Sequence, residues 1–91
     1  MKEIKTDKGF LVMQVSRKEL MDALGGMTLG RCDFCFDDPK VGYYVAVLNQ
    51  WLCKECYDKW LQTAEYFPED RKIELRNYEY YKSMFLNERQ D

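Results

Sequence analysis

Residues 31–60 read RCDFCFDDPKVGYYVAVLNQWLCKECYDKW, with Cys32 and Cys35 near one end, Cys53 and Cys56 near the other, and 17 residues between the pairs. A two-residue gap on a tight turn brings both sulfurs of a pair to one side. Two such turns facing each other can surround one ion tetrahedrally at about 2.3 Å. The spacing falls within the pattern of four-cysteine zinc sites. All four cysteines of the chain are used and none is left over.

What lies between and after the pairs fixes the architecture. YYVAVLNQWL reads as two short strands folding back around Asn49 and Gln50, a hairpin whose turn lacks the usual glycine. From Lys54 the pattern becomes helical: Tyr57, Trp60, Leu61 and Ala64 recur at i, i+3, i+4 and i+7, with Asp58, Lys59, Gln62 and Glu65 opposite. Pro68 is expected to close this helix after Phe67. The second cysteine pair therefore spans the end of a hairpin and the first turn of a helix.

That order of knuckle, hairpin and helix resembles the treble-clef zinc fingers over residues 31–67, with Cys32, Cys35, Cys53 and Cys56 at the ligand positions. The resemblance implies one structural zinc ion. Zinc ribbons and rubredoxin-like iron sites instead place both pairs on β-turns, usually with glycine after the second cysteine. Here Phe36 and Tyr57 stand there, so the helical second pair favours zinc over iron. WLCKEC is also similar to the Trp-Cys-x-x-Cys of thioredoxin-like redox proteins. Its Trp is displaced by one position, however, and no βαβ pattern surrounds it. Outside the finger the chain resembles only short bacterial proteins, a likeness that implies no activity.

Working outward, residues 9–15 (GFLVMQV) read as a strand apolar on both faces, Phe10 and Val12 on one, Leu11, Met13 and Val15 on the other. Residues 2–5 are a candidate hairpin partner. Ser16 and Glu19 form a capping-box pattern opening a short helix with Leu20, Ala23 and Leu24 on one face, ended by Gly25–Gly26. A last helix is expected over about 69–86 with Ile73, Tyr80, Tyr81, Met84 and Phe85 as its apolar stripe, Asn77 filling one slot and Tyr78 off it. The expected fold is a small zinc-stabilised α+β domain over 1–91. It comprises a strand–helix unit (1–26), the β-hairpin-plus-helix finger (31–67) and a C-terminal helix (69–88) packed on it.

Composition narrows the function. The net charge is −2 over 91 residues, and no segment forms a basic stripe, which disfavours general nucleic-acid affinity. No secretory signal or membrane-length apolar run is visible, so a reducing cytoplasm is expected, where paired cysteines hold metal more often than disulfides. The chain has no histidine, which removes histidine-based triads, dyads and metalloprotease sites. A four-sulfur zinc is coordinatively closed. Asp37–Asp38 before Pro39 is ordinary turn chemistry. The expected function is therefore a zinc-binding protein-interaction adaptor rather than an enzyme. Tyr43, Tyr44, Tyr66, Tyr78, Tyr80 and Tyr81 are its anchor candidates, set against simple core packing. The alternatives are a nucleic-acid-binding finger using Arg31, Lys40, Lys54 and Lys59, and more remotely a thiol–disulfide redox protein. Self-association is compatible with the first two.

Overall fold

The computed structural model describes residues 2–24 and 31–89, with backbone alone at Leu24 and 85–89. Four antiparallel strands, β1 (Lys2–Lys5), β2 (Leu11–Ser16), β3 (Val41–Val45) and β4 (Gln50–Cys53), lie in sequence order in one sheet. Three helices accompany them: α1 (Arg17–Leu24), α2 (Lys54–Thr63) and α3 (Arg71–Arg89). The architecture is α+β, as expected. Among the described residues no helix is long and apolar enough to cross a membrane.

The two-sided apolar character of β2 is realised as two cores, one on each face of the sheet. Met13 and Val15 pack with Leu20, Tyr44, Ala46, Trp51 and Tyr81, beneath α1 and α3. Phe10 and Val12 pack with Cys32, Val45, Leu52, Cys53 and Tyr57, beneath α2 and the cysteines. β2 also pairs directly with β3, Val12 opposite Val45 and Ser16 opposite Val41. The N-terminal strands and the cysteine-bearing hairpin thus share one hydrogen-bonded sheet.

Local signals explain most of the boundaries. At the β1–β2 turn, Gly9 takes φ 92° and its N–H donates to the Thr6 carbonyl, while the Thr6 hydroxyl accepts from the Phe10 N–H at 2.8 Å. Reciprocal bonds between Ser16 and Glu19, at 3.1 and 3.0 Å, open α1. The proposed stop at Gly25–Gly26 lies outside the described residues.

Three expectations are corrected. The β3–β4 turn occupies residues 46–49, and Gln50 already belongs to β4, opposite Val45. Asn49 adopts φ 54°, and its side-chain oxygen accepts the Tyr44 hydroxyl at 2.6 Å. Asparagine tolerates this left-handed conformation, so the turn closes without glycine.

The helix expected to reach Phe67 ends at Thr63, and Ala64 is already extended. The Lys8 ammonium, reaching across from the β1–β2 turn, donates to the carbonyls of Leu61 at 2.6 Å and Ala64 at 2.8 Å. A cation there satisfies the free acceptors of a helix end and favours its negative pole. Pro68 opens a short 3-10 turn, Pro68–Asp70, that leads into α3.

The stripe of α3 is also out of phase with the expectation. Ile73 and Tyr80 are 58% and 69% exposed, whereas Glu74 and Tyr81 are buried. Tyr78 and Met84 are half-buried against the same core, and the side chain of Phe85 is outside the described residues. Glu74 fills a core slot because its Oε2 accepts the Leu11 N–H at 3.0 Å. Three residues on, the Asn77 amide donates to the Ala46 carbonyl at 2.9 Å. Two polar side chains one helical turn apart therefore tie α3 to the sheet, where an apolar pattern alone selects Ile73.

Candidate metal centre

The four cysteine sulfurs converge. All lie within 4.8 Å of one another, and the Cys35–Cys53 separation is 3.7 Å. Four sulfurs at about 2.3 Å around one ion stand about 3.8 Å apart at the edges of a regular tetrahedron. No pair is joined as a disulfide. The donor set therefore fits a single metal ion.

The first pair is set by backbone bonds. The Phe36 N–H donates to the Cys32 carbonyl at 2.9 Å, and the Cys32 N–H donates to the Asp37 carbonyl at 2.8 Å, closing the knuckle on itself. Asp33 then clips the knuckle to β4. Its N–H donates to the Trp51 carbonyl at 2.9 Å, and its carboxylate accepts the Trp51 N–H at 2.8 Å. Phe36 takes φ 65°, a left-handed conformation that glycine adopts more readily, and is 69% exposed.

The second pair uses the geometry of a helix start. Cys53 is the N-cap of α2, extended at φ −68° and ψ 164°, and makes no side-chain capping bond. Cys56 stands three residues on. N-cap and third-position side chains face each other, which is why Ser16 and Glu19 meet in the capping box of α1. In α2 the same two positions carry sulfurs, so the helix start itself brings them together. The partial positive charge there favours thiolate.

Packing holds both knuckles in place. Tyr57 stacks on Tyr43 with centroids 4.6 Å apart and planes 12° apart, fixing α2 against β3. Gly42 pairs with Cys53 across the strands, and a Cβ at Gly42 would fall on the Trp51 indole. That indole is anchored by its Nε1, which donates to the Val15 carbonyl at 3.2 Å. The glycine thus allows the ring to lie across β3 in the core beneath α1 and α3.

The thiols are electrostatically uneven. Burial pushes the Cys32 thiol up, but the backbone amides of Cys35, Cys53 and Phe34 outweigh it and bring Cys32 to about 7. Cys56 is pushed up from its ordinary value by burial and by the other three sulfurs. A cation at the centre relieves the repulsion among the thiolates. Cys32 and Cys53 are buried, Cys56 is half-buried and Cys35 is exposed, so the centre sits at the rim of the core.

The remaining candidates are dispersed. Tyr44 and Tyr81 are core residues, stacked at 3.7 Å, which removes them as anchors. Tyr43, Tyr66 and Tyr78 are half-buried and Tyr80 is exposed. The bases do not form a patch at the metal centre. Arg31 pairs with Asp38 at 3.4 Å, Lys54 with Asp58 at 3.1 Å and Lys59 with Glu55 at 3.2 Å. Lys40 instead lines a separate depression with Arg17 and Lys18.

Asp33, whose partner is 18 residues away, and the exposed Phe34 and Phe36 carry no local pattern that marks them in the sequence. Only the missing glycine after Cys35 hinted at Phe36. Set against known protein families, curated proteins and solved structures, the chain matches none of them.

Proposed function

We propose that the protein binds one structural zinc ion through Cys32, Cys35, Cys53 and Cys56, and that the zinc-stabilised domain serves as a protein-interaction adaptor in the cytoplasm. The observation that carries the metal reading is the convergence of four sulfurs within 4.8 Å. Four thiolates favour zinc or iron over harder ions. The placement of Cys53 and Cys56 at a helix start, rather than on a second β-turn, supports zinc in a treble-clef arrangement. A closed four-sulfur shell leaves no position for an activated water, which supports a structural rather than catalytic role.

The adaptor reading is supported by the knuckle, where Phe34 and Phe36 expose 74% and 69% of their surface on either side of Cys35. Exposed apolar clusters mark interaction sites. The nucleic-acid alternative draws no support from the bases near the metal, since Arg31, Lys54 and Lys59 each face a carboxylate. X-ray absorption of the purified protein tests the metal reading. A zinc edge with four sulfurs at about 2.3 Å is expected; an iron edge, or oxygen or nitrogen in the coordination shell, would overturn it.

A further inference from the structure

We propose that the cleft beside the cysteine centre is a docking site for a peptide segment of another protein in which a large apolar side chain is flanked by lysine or arginine. The proposal rests on the adaptor reading above and gives it a surface and a partner chemistry. The cleft has a volume of about 550 Å³, within the usual range of ligand sites. Phe34, Leu48, Leu52 and Trp60 provide its apolar lining. Leu48 is 38% exposed, so apolar surface is open there to a partner.

Charge selects the partner. The cleft is lined by Asp37, Glu55 and Lys59, and Lys59 is already paired with Glu55 at 3.2 Å. Cys35 and Cys56 also line it, and four thiolates on one zinc dication leave about two negative charges at its wall. The rim is thus anionic around an apolar floor. It opposes phosphates and acidic peptides, and it opposes the same face of a second copy. A cationic residue next to an apolar one is complementary to it.

Phe34, which lines the cleft and is 74% exposed, adds a second stretch of apolar surface open to a partner.

The test is selection of a random peptide library displayed on phage against the zinc-loaded full chain, followed by anisotropy titration of the enriched peptides. Enrichment of Leu, Phe, Met or Trp adjacent to Lys or Arg is expected, with Kd in the range of about 1–100 µM. Leu48→Glu is expected to weaken binding at least about tenfold and Glu55→Lys about fivefold. Ile73→Ala, on the exposed face of α3, leaves binding unchanged. Phe34→Ala, at a largely solvent-exposed ring that lines the cleft, provides a variant that keeps the fold and still loses affinity. No enrichment, enrichment of acidic peptides, or binding indifferent to both Leu48→Glu and Phe34→Ala overturns the proposal. So does a single-stranded RNA oligonucleotide that competes for the cleft, or self-association abolished by Leu48→Glu. Zinc content measured on the same samples separates the two readings. Full zinc loading without peptide binding sinks the cleft alone, whereas peptide binding by a chain that holds no zinc sinks the metal reading.

Discussion

At the scale of single residues, the packing of the sheet depends on a side chain that is absent as much as on those present. Gly42 is required because the Trp51 indole occupies the space a Cβ would take, and the bond from Trp51 to the Val15 carbonyl prevents the ring from yielding. Gly42→Ala is therefore expected to destabilise the protein by about 2 kcal/mol, the scale of overpacking in a fixed core. Urea unfolding of the zinc-loaded protein measures it, and an unchanged midpoint would contradict the packing.

The thiols set a pH dependence. Cys32 is held at about 7, while burial and neighbouring sulfurs push Cys56 above its ordinary 9.0. Zinc binds thiolates, so it must displace the protons that the metal-free cluster retains at neutral pH. Apparent zinc affinity should fall on acidification, and fall more steeply below about 7, where Cys32 has also taken up its proton. Competition with a chromophoric chelator across that range reads the slope. An affinity that does not change with pH would exclude thiolate ligation.

At the scale of elements, legibility followed the range of the interaction. Ser16 and Glu19 sit three residues apart, so their reciprocal caps could be read directly. The alternation along residues 10–15 likewise assigned Phe10 and Val12 to one core and Met13 and Val15 to the other. The end of α2 could not be read, because the group that caps it is Lys8, more than fifty residues away in the chain. The phase of α3 was hidden for a related reason. Hydrophobicity assigns a buried carboxylate to the surface, but Glu74 is 1% exposed and bonded to Leu11 across the fold.

Arg71 stands 3.2 Å from the other oxygen of Glu74, an ion pair whose geometry does not complete a hydrogen bond. The bond to Leu11 is therefore the main tie. Glu74→Ala should cost about 2 kcal/mol, since it leaves the Leu11 N–H without its acceptor. Glu74→Gln, which keeps a carbonyl oxygen, should recover most of that loss. Equal urea midpoints for the two variants would show that the carboxylate's charge, not the bond, holds the helix.

At the scale of the whole molecule, the sheet carries two cores that differ in composition. The face under α1 and α3 is closed by Leu20, Tyr44, Trp51 and Tyr81. The other includes Cys32 and Cys53 among its buried members, so part of that core consists of the proposed metal ligands themselves. The spacing of the cysteines made this centre legible in the sequence. The surface beside it was not legible, because exposure of Phe34 and Phe36 depends on where the knuckle packs against β4. The six tyrosines considered as anchors show the same limit: Tyr44 and Tyr81 became core only when α3 crossed the sheet and stacked them 3.7 Å apart.

Structural zinc in small fingers contributes apparent binding free energies of about 10–16 kcal/mol, against whole-domain stabilities of about 5–15 kcal/mol. Removal of the ion should therefore abolish cooperative folding on the α2 side of the sheet. The most direct measurement combines elemental analysis of the purified chain with circular dichroism and thermal unfolding before and after chelation. One zinc per chain, loss of helical signal and loss of the cooperative transition on chelation, and recovery of both on adding zinc are the expected results. A chain that holds no metal, or one whose spectrum and Tm are unchanged by chelation, would contradict a fold held together at Cys32, Cys35, Cys53 and Cys56.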